Sequence, residues 1–243
     1  CSCKICFTPM KEFKKGQLMK ESFKERLARI EERIAAACEK AGRPRDDVRL
    51  LAVSKTKPPE AVREAAECGL RLFGENRVQE AQSKIPLCPA GLEWHLIGHL
   101  QSNKAKLAAH LFQMVHSVDS LKLLRALEEH ANLTLPVLLQ VNVSGEAAKY
   151  GMKPGEVAQV IEVANQMQKC EVHGLMTIPP FSPDPEKTRI HFAALRELRD
   201  RLQDETGTPL PELSMGMSHD LDVAIEEGST WVRIGTDLFG ERG

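Results

Sequence analysis

Short apolar stretches suited to buried strands recur eight times in this chain, separated by amphipathic helical patterns, and that alternation constrains its fold more than any other feature. The stretches are 49–53 (RLLAV), 70–73 (LRLF), 94–97 (WHLI), 112–116 (FQMVH), 136–142 (PVLLQVN), 172–177 (VHGLMT), 212–215 (ELSM) and 231–234 (WVRI). Between them lie helical patterns at about 59–68, 76–84, 103–110, 120–130, 154–168, 185–205 and 219–227. Strands that alternate with helices are joined by right-handed crossovers and pair in parallel, covered on both faces. Eight such units close into a barrel. An open doubly wound sheet is the competing arrangement, but its glycine-rich turn after the first strand is missing, since RLLAVSKTK at 49–57 holds no glycine. One more helix precedes the first strand. Phe23, Leu27, Ile30 and Ile34 recur at helical spacing within 19–41, and Gly42 and Pro44 stop it. The expected fold class is α/β, a single (β/α)8 TIM-type barrel over 19–243 with an extra N-terminal helix.

The totals agree with one domain. Apolar residues make up 42% of the 243, enough for a substantial core, and a net charge of -1 gives no general attraction to nucleic acid or an anionic membrane. No apolar run approaches the roughly 18–20 residues of a membrane span, and no signal-peptide pattern is visible, so a cytoplasmic location is expected. Seven cysteines, at 1, 3, 6, 38, 68, 88 and 170, form no regular framework. Cys1, Cys3 and Cys6 cluster, but no partner motif follows them and no metal site is expected. Residues 1–18 read as an appendage, disordered or non-native.

Function in such a barrel collects where the strands run out at their carboxyl ends. Lys55 follows the first strand, Gly74-Glu75-Asn76 the second, Met215 to Asp220 the seventh and Gly235-Thr236-Asp237 the eighth. Ser218 precedes a helix expected to begin at His219-Asp220, and Gly235-Thr236 offers bare backbone and a hydroxyl. Together these two loops make an anion site, the usual place of a phosphate in this fold. Lys55 lies on the neighbouring strand. It is either an amine held for condensation with an aldehyde, pyridoxal 5'-phosphate (PLP) being the phosphorylated aldehyde that fits, or a strand-end lysine whose charge reaches water. Arg233 shares a face with Gly235. Pointing inward, it would face the ring nitrogen of such a cofactor; pointing outward, it would pair with a helix acid. The acidic residues Asp220, Asp222, Glu226 and Glu227 read as a solvated helix face. His95 and His99 lie more than about 10 Å apart along a strand, too far for a shared metal.

At these residues the sequence resembles the pyridoxal phosphate homeostasis proteins, PLP-binding barrels similar to the N-terminal domain of alanine racemase. The resemblance covers about 20–242. It rests on LLAVSKTKP at 50–58, FGENRVQEAQSK at 73–84, WHLIGHLQSNKAK at 94–106, VNVSGEAAKYGM at 141–152, HGLMTIP at 173–179 and the long run 213–242. It implies that Lys55 forms the Schiff base with PLP, and that Ser218, Gly235 and Thr236 bind the phosphate. It further implies that Arg233 faces the pyridine nitrogen and that Asn76 and Ser214 lie near the cofactor. The implied protein is a monomer or weak dimer that holds PLP for vitamin B6 balance without established catalysis, with PLP-dependent acceptor enzymes as partners.

Two other functions stay open at this stage. A PLP-dependent amino-acid racemase needs a second acid/base on the opposite face of the substrate. The single tyrosine, Tyr150, reads as a loop residue over the barrel mouth, and with about seven residues following Thr236 no further domain is expected. A barrel that binds a different phosphorylated metabolite is the other reading.

Overall fold

A computed structural model describes residues 21–240. The expected appendage at 1–18, with Cys1, Cys3 and Cys6, lies outside the described residues. Ser22 opens the first helix, α1 (Phe23–Lys40), through a reciprocal cap. Its Oγ accepts the Glu25 N–H at 3.3 Å while the Glu25 carboxylate accepts the Ser22 N–H at 2.8 Å. Phe23, Ile30, Ile34, Ala37 and Cys38 make the buried stripe, with Leu27 at its margin.

The eight strands are β1 (Arg49–Val53), β2 (Leu72–Glu75), β3 (Glu93–Leu96), β4 (Met114–Val118), β5 (Leu135–Gln140), β6 (Cys170–Met176), β7 (Glu212–Met217) and β8 (Trp231–Ile234). They pair in parallel, each with the next, and β8 closes on β1 with Leu51 opposite Arg233. The expected barrel is the observed one. Helices α2 (Pro59–Glu67), α3 (Val78–Lys84), α4 (Ala105–Leu111), α5 (Leu121–His130), α6 (Val157–Ala164), α7 (Arg189–Thr206) and α8 (Leu221–Glu226) form the outer ring. A last short turn of helix, α9 (Thr236–Phe239), follows β8, and α1 packs on α8 and α9.

Alternation along the strands separates two apolar layers. Leu51, Val53, Ile97, Met114, Leu138, Met176 and Trp231 fill the barrel interior, while residues such as Leu50, Ala52, Phe73, Leu96, Val115 and Ile234 pack under the helices. Two strands sit two residues later than their apolar runs suggest. β2 covers Leu72–Glu75 and β4 covers Met114–Val118, because Glu75 and His116 are buried polar residues whose partners come from elsewhere in the chain. α8 also begins later than expected, at Leu221. Asp220 is its N-cap residue and accepts the Met217 N–H at 2.8 Å, so Ser218 stands in the preceding turn. Among the described residues no helix is long and apolar enough to cross a membrane.

Candidate functional site

A cavity of about 240 Å³ opens at the carboxyl ends of the strands, lined by Lys55, Asn76, Ser218, Arg233, Gly235 and Thr236 among others. Six of the seven residues expected at the site therefore meet in one place. The strand alternation explains the first two. Val53 points inward and Ser54 outward, which brings Lys55 back to the cavity; Gly74 points inward and Glu75 outward, which does the same for Asn76. Gly98 leaves room for this arrangement, since a Cβ there would sit 2.2 Å from the Asn76 carbonyl oxygen.

Ser214, the seventh, lies one layer below. It is fully buried, and its hydroxyl accepts from Arg233 Nη1 at 2.7 Å and meets His116 Nδ1 at 2.9 Å. The second Arg233 terminal nitrogen, Nη2, donates to the Thr177 carbonyl at 2.9 Å. Arg233 points inward and is 3% exposed. Burial lowers its pKa to about 10, with Asp220 opposing the shift, so it stays a cation at neutral pH. A guanidinium carries five N–H groups and no acceptor. Two bonds to the barrel wall fix its plane and leave donors for the cavity.

The β7–β8 side of the cavity is built differently from the expected helix start. Ser218 Oγ accepts the Asp237 N–H at 3.4 Å, so its hydroxyl belongs to the first turn of α9 and not of α8. Gly216, at φ 90, turns the chain there; a Cβ would stand 2.5 Å from that of Ala224. Arg33 of α1, unforeseen in the sequence, ties the two loops together. It donates to the Ser218 carbonyl at 3.1 Å, to Asp237 at 3.1 Å and to Asp222 at 2.6 Å. The carbonyls of Phe239 and Gly240 accept from Lys57 Nζ at 3.1 and 3.2 Å, so that lysine braces the end of α9.

The acidic residues near 220 are not a solvated face. Asp220 is 5% exposed, and burial pushes its carboxyl above the ordinary range against the pull of the Met217 N–H and Arg233. Asp222 pairs with Arg33, Glu226 with Lys40 and Arg189, and Glu227 with Arg189 and Arg196. These pairs join α8 to α1 and α7, which explains why the acids gather on this helix. His95 and His99 part as expected. His95 is buried against His116, 3.0 Å away, whereas His99 meets Asp119 at 2.9 Å near the mouth and stacks on Tyr150 at 4.0 Å. Among the described residues no group of three metal-ligating side chains forms.

One polar atom of the cavity wall lacks a protein partner. Asn76 Oδ1 is buried and accepts no hydrogen bond among the described residues. Buried acceptors are rarely left so, and this one suits a ligand hydroxyl. With Lys55 as a primary amine, the hydroxyls of Ser218 and Thr236 at one end and the Arg233 cation on the wall, the donor set fits a phosphorylated aromatic aldehyde.

The barrel is that of the alanine racemase N-terminal domain, whose family profile matches residues 26–243. Within that class, the chain belongs to the pyridoxal phosphate homeostasis proteins. It is 50% identical over 222 residues to the pyridoxal phosphate homeostasis protein of Aquifex aeolicus, covering 90% of this chain and 97% of that one. It is 41% identical over 225 residues to the protein of the same description from Escherichia coli K12, covering 89% and 95%. The structure of PipY from Synechococcus elongatus, solved with PLP bound, superposes with a TM-score of 0.79 at 39% identity, covering 90% of this chain and 100% of that one. An alanine racemase of Corynebacterium glutamicum, 18% identical, shares the fold with a TM-score of 0.65, and this chain covers 62% of its length.

Proposed function

We propose that this chain binds PLP in the cavity at the carboxyl ends of its strands and holds it through Lys55 for intracellular vitamin B6 balance. The observation that carries the reading is the meeting of Lys55, Arg233 and the Ser218 and Gly235-Thr236 loops around one cavity with an unpartnered Asn76 oxygen. When bound, PLP supplies an aldehyde that condenses with a primary amine, releasing water. The hydroxyls of Ser218 and Thr236, with the side-chain-free backbone of Gly235, would hold the phosphate. Arg233, a donor with no acceptor, would face the ring nitrogen; a fixed cation there would keep that nitrogen unprotonated and weaken the ring as an electron sink, favouring holding the cofactor over turning over an amino acid.

Tyr150, the side chain that a racemase reading would need as a second base, is 60% exposed, stacks on His99 and is absent from the cavity wall. We infer a reservoir that passes PLP to acceptor enzymes, working in the cytoplasm as a monomer or weak dimer. The test is spectroscopic. Protein incubated with PLP and freed of excess should gain a visible absorption band from the conjugated cofactor, and Lys55→Ala should lose that band. A band of equal strength in Lys55→Ala would refute the assignment of the lysine; a colourless wild type would refute PLP as the ligand.

A further inference from the structure

The run 73–84 supplies Asn76 to the cavity, but three of its charged side chains face away from it. Glu75 is fully buried and Lys84 is 6% exposed, two extremes for such residues. Lys84 Nζ donates to the Ser54 carbonyl at 2.8 Å, to Glu75 Oε1 at 2.8 Å and to Glu80 Oε1 at 2.9 Å. Its three N–H groups are thereby all used. Glu75 Oε1 also accepts from the Ser54 hydroxyl at 2.7 Å, and Glu80 Oε1 accepts the Thr56 N–H at 2.5 Å.

The two residues gripped in this way, Ser54 and Thr56, are the neighbours of Lys55 on either side. Thr56 has φ 63, the one positive φ at a non-glycine among the described residues. For a β-branched residue that region is a strained outlier, sustained only where surrounding contacts impose it. Here they do, through Glu80 on the Thr56 N–H and Lys84 on the Ser54 carbonyl. That carbonyl also receives the Lys57 N–H at 3.0 Å, closing the turn. Stability alone is a poor explanation for two carboxylates and one ammonium in this place. Desolvation offsets much of the attraction in a buried ion cluster, and apolar side chains of similar volume would fill the space at least as well. Burial indeed pushes the Glu75 carboxyl up, against the pull of Lys84 and Ser54.

We propose that Glu75, Glu80 and Lys84 are positioning residues for Lys55, a buried charge cluster that holds the strained Ser54–Thr56 turn and so presents the Lys55 amine to the cavity. The inference rests on the reading of Lys55 as the amine that receives PLP. Glu80 is its mildest entry point, because it is the most exposed of the three and its removal leaves the Lys84–Glu75 pair in place.

The experiment compares wild type, Glu80→Ala, and Glu80→Ala with Thr56→Gly. One readout is the rate of PLP incorporation at Lys55 trapped by borohydride; the other is hydrogen exchange of the Lys57 amide in protein without PLP. Glu80→Ala should slow incorporation by about tenfold, as expected for a displaced reacting group, and speed Lys57 exchange, with the thermal midpoint little changed. Thr56→Gly should restore most of both, because glycine takes that backbone conformation without strain. A merely structural cluster would not be rescued by a glycine. Unchanged incorporation in Glu80→Ala, or a loss that Thr56→Gly deepens, would overturn the proposal. If wild type traps no PLP at Lys55, the cofactor reading fails by itself, and the exchange result alone then decides whether the cluster holds the turn.

Discussion

On the β1–β2 side of the cavity, Lys55 and Asn76 are braced from close by in sequence, Lys84 reaching Ser54 across 30 positions. On the β7–β8 side, the Ser218 and Thr236 loops are braced from the opposite end of the chain, Arg33 reaching Ser218 across 185 positions. The near brace is largely buried, with the Lys84 side chain 6% exposed; the far brace is half-buried, with the Arg33 side chain 31% exposed. The amine side thus depends on geometry built into the barrel wall. The β7–β8 side depends on how well the extra N-terminal helix stays docked, through Arg33, through Arg26 on the Leu238 carbonyl at 2.6 Å, and through the Phe23–Phe239 ring contact at 5.5 Å. Under the proposed assignment, the β7–β8 side would loosen its grip on a phosphate without disturbing Lys55.

The largest effect expected on the far side comes from Arg33→Ala. It removes three hydrogen bonds at partly exposed groups, so the loss should lie between that of a surface pair and that of a charged hydrogen bond, about 1–2 kcal/mol. Hydrogen exchange should speed up in 218–222 and 236–240 while 54–57 stays protected. Equal loosening at both places would mean that the two braces are one.

Acid should act between the two sides, through the barrel interior. His116 is buried and held well below the ordinary imidazole range, by burial first and then by His95, Arg233 and Arg49. The unfolded chain takes up a proton at this residue below about pH 6.5 and the folded chain does not. Stability from His116 is therefore complete above that pH and falls on acidification, by at most about 1.4 kcal/mol per pH unit. Thermal midpoints from pH 7 down to 5 should show the loss, and His116→Gln should flatten it. A slope unaltered in the variant would place the titrating group elsewhere.

Ser218→Ala should have the smallest effect. Its hydroxyl makes one long bond to the α9 backbone, worth about 0.5 kcal/mol, at the low end for a helix cap. Affinity for PLP should fall while the stability of the protein without PLP barely changes. A large stability loss would make Ser218 a structural residue of the loop before anything else.

The strands and the residues at their ends are legible in the sequence on both sides of the cavity, and the braces behind them are not. Parallel strands covered on both faces read as continuous apolar runs, so β1 and β8 were placed correctly, and Lys55 and Arg233 followed from counting positions past or along them. The slip in β2 arose where a buried glutamate ended the apolar signal early. Only a folded Lys84 makes Glu75 tolerable inside, and no spacing announces that pair. Ser218 lies at the cavity but against α9 and not at the start of α8, because Asp220 holds the N-cap position of α8 and the serine hydroxyl meets the Asp237 N–H. Arg33 and the acidic residues of α8 were misread or missed, since a surface-like charge on a helix gives no sign that its partner lies on another helix far away in sequence.

The claim on which the rest depends is that one lysine, Lys55, receives the cofactor. PLP-loaded protein should be reduced with borohydride, digested, and every lysine peptide measured. A single labelled residue is expected, Lys55, with Lys57 and Lys84 unmodified. Label on Lys57, label spread over the surface lysines, or no label at all would contradict it.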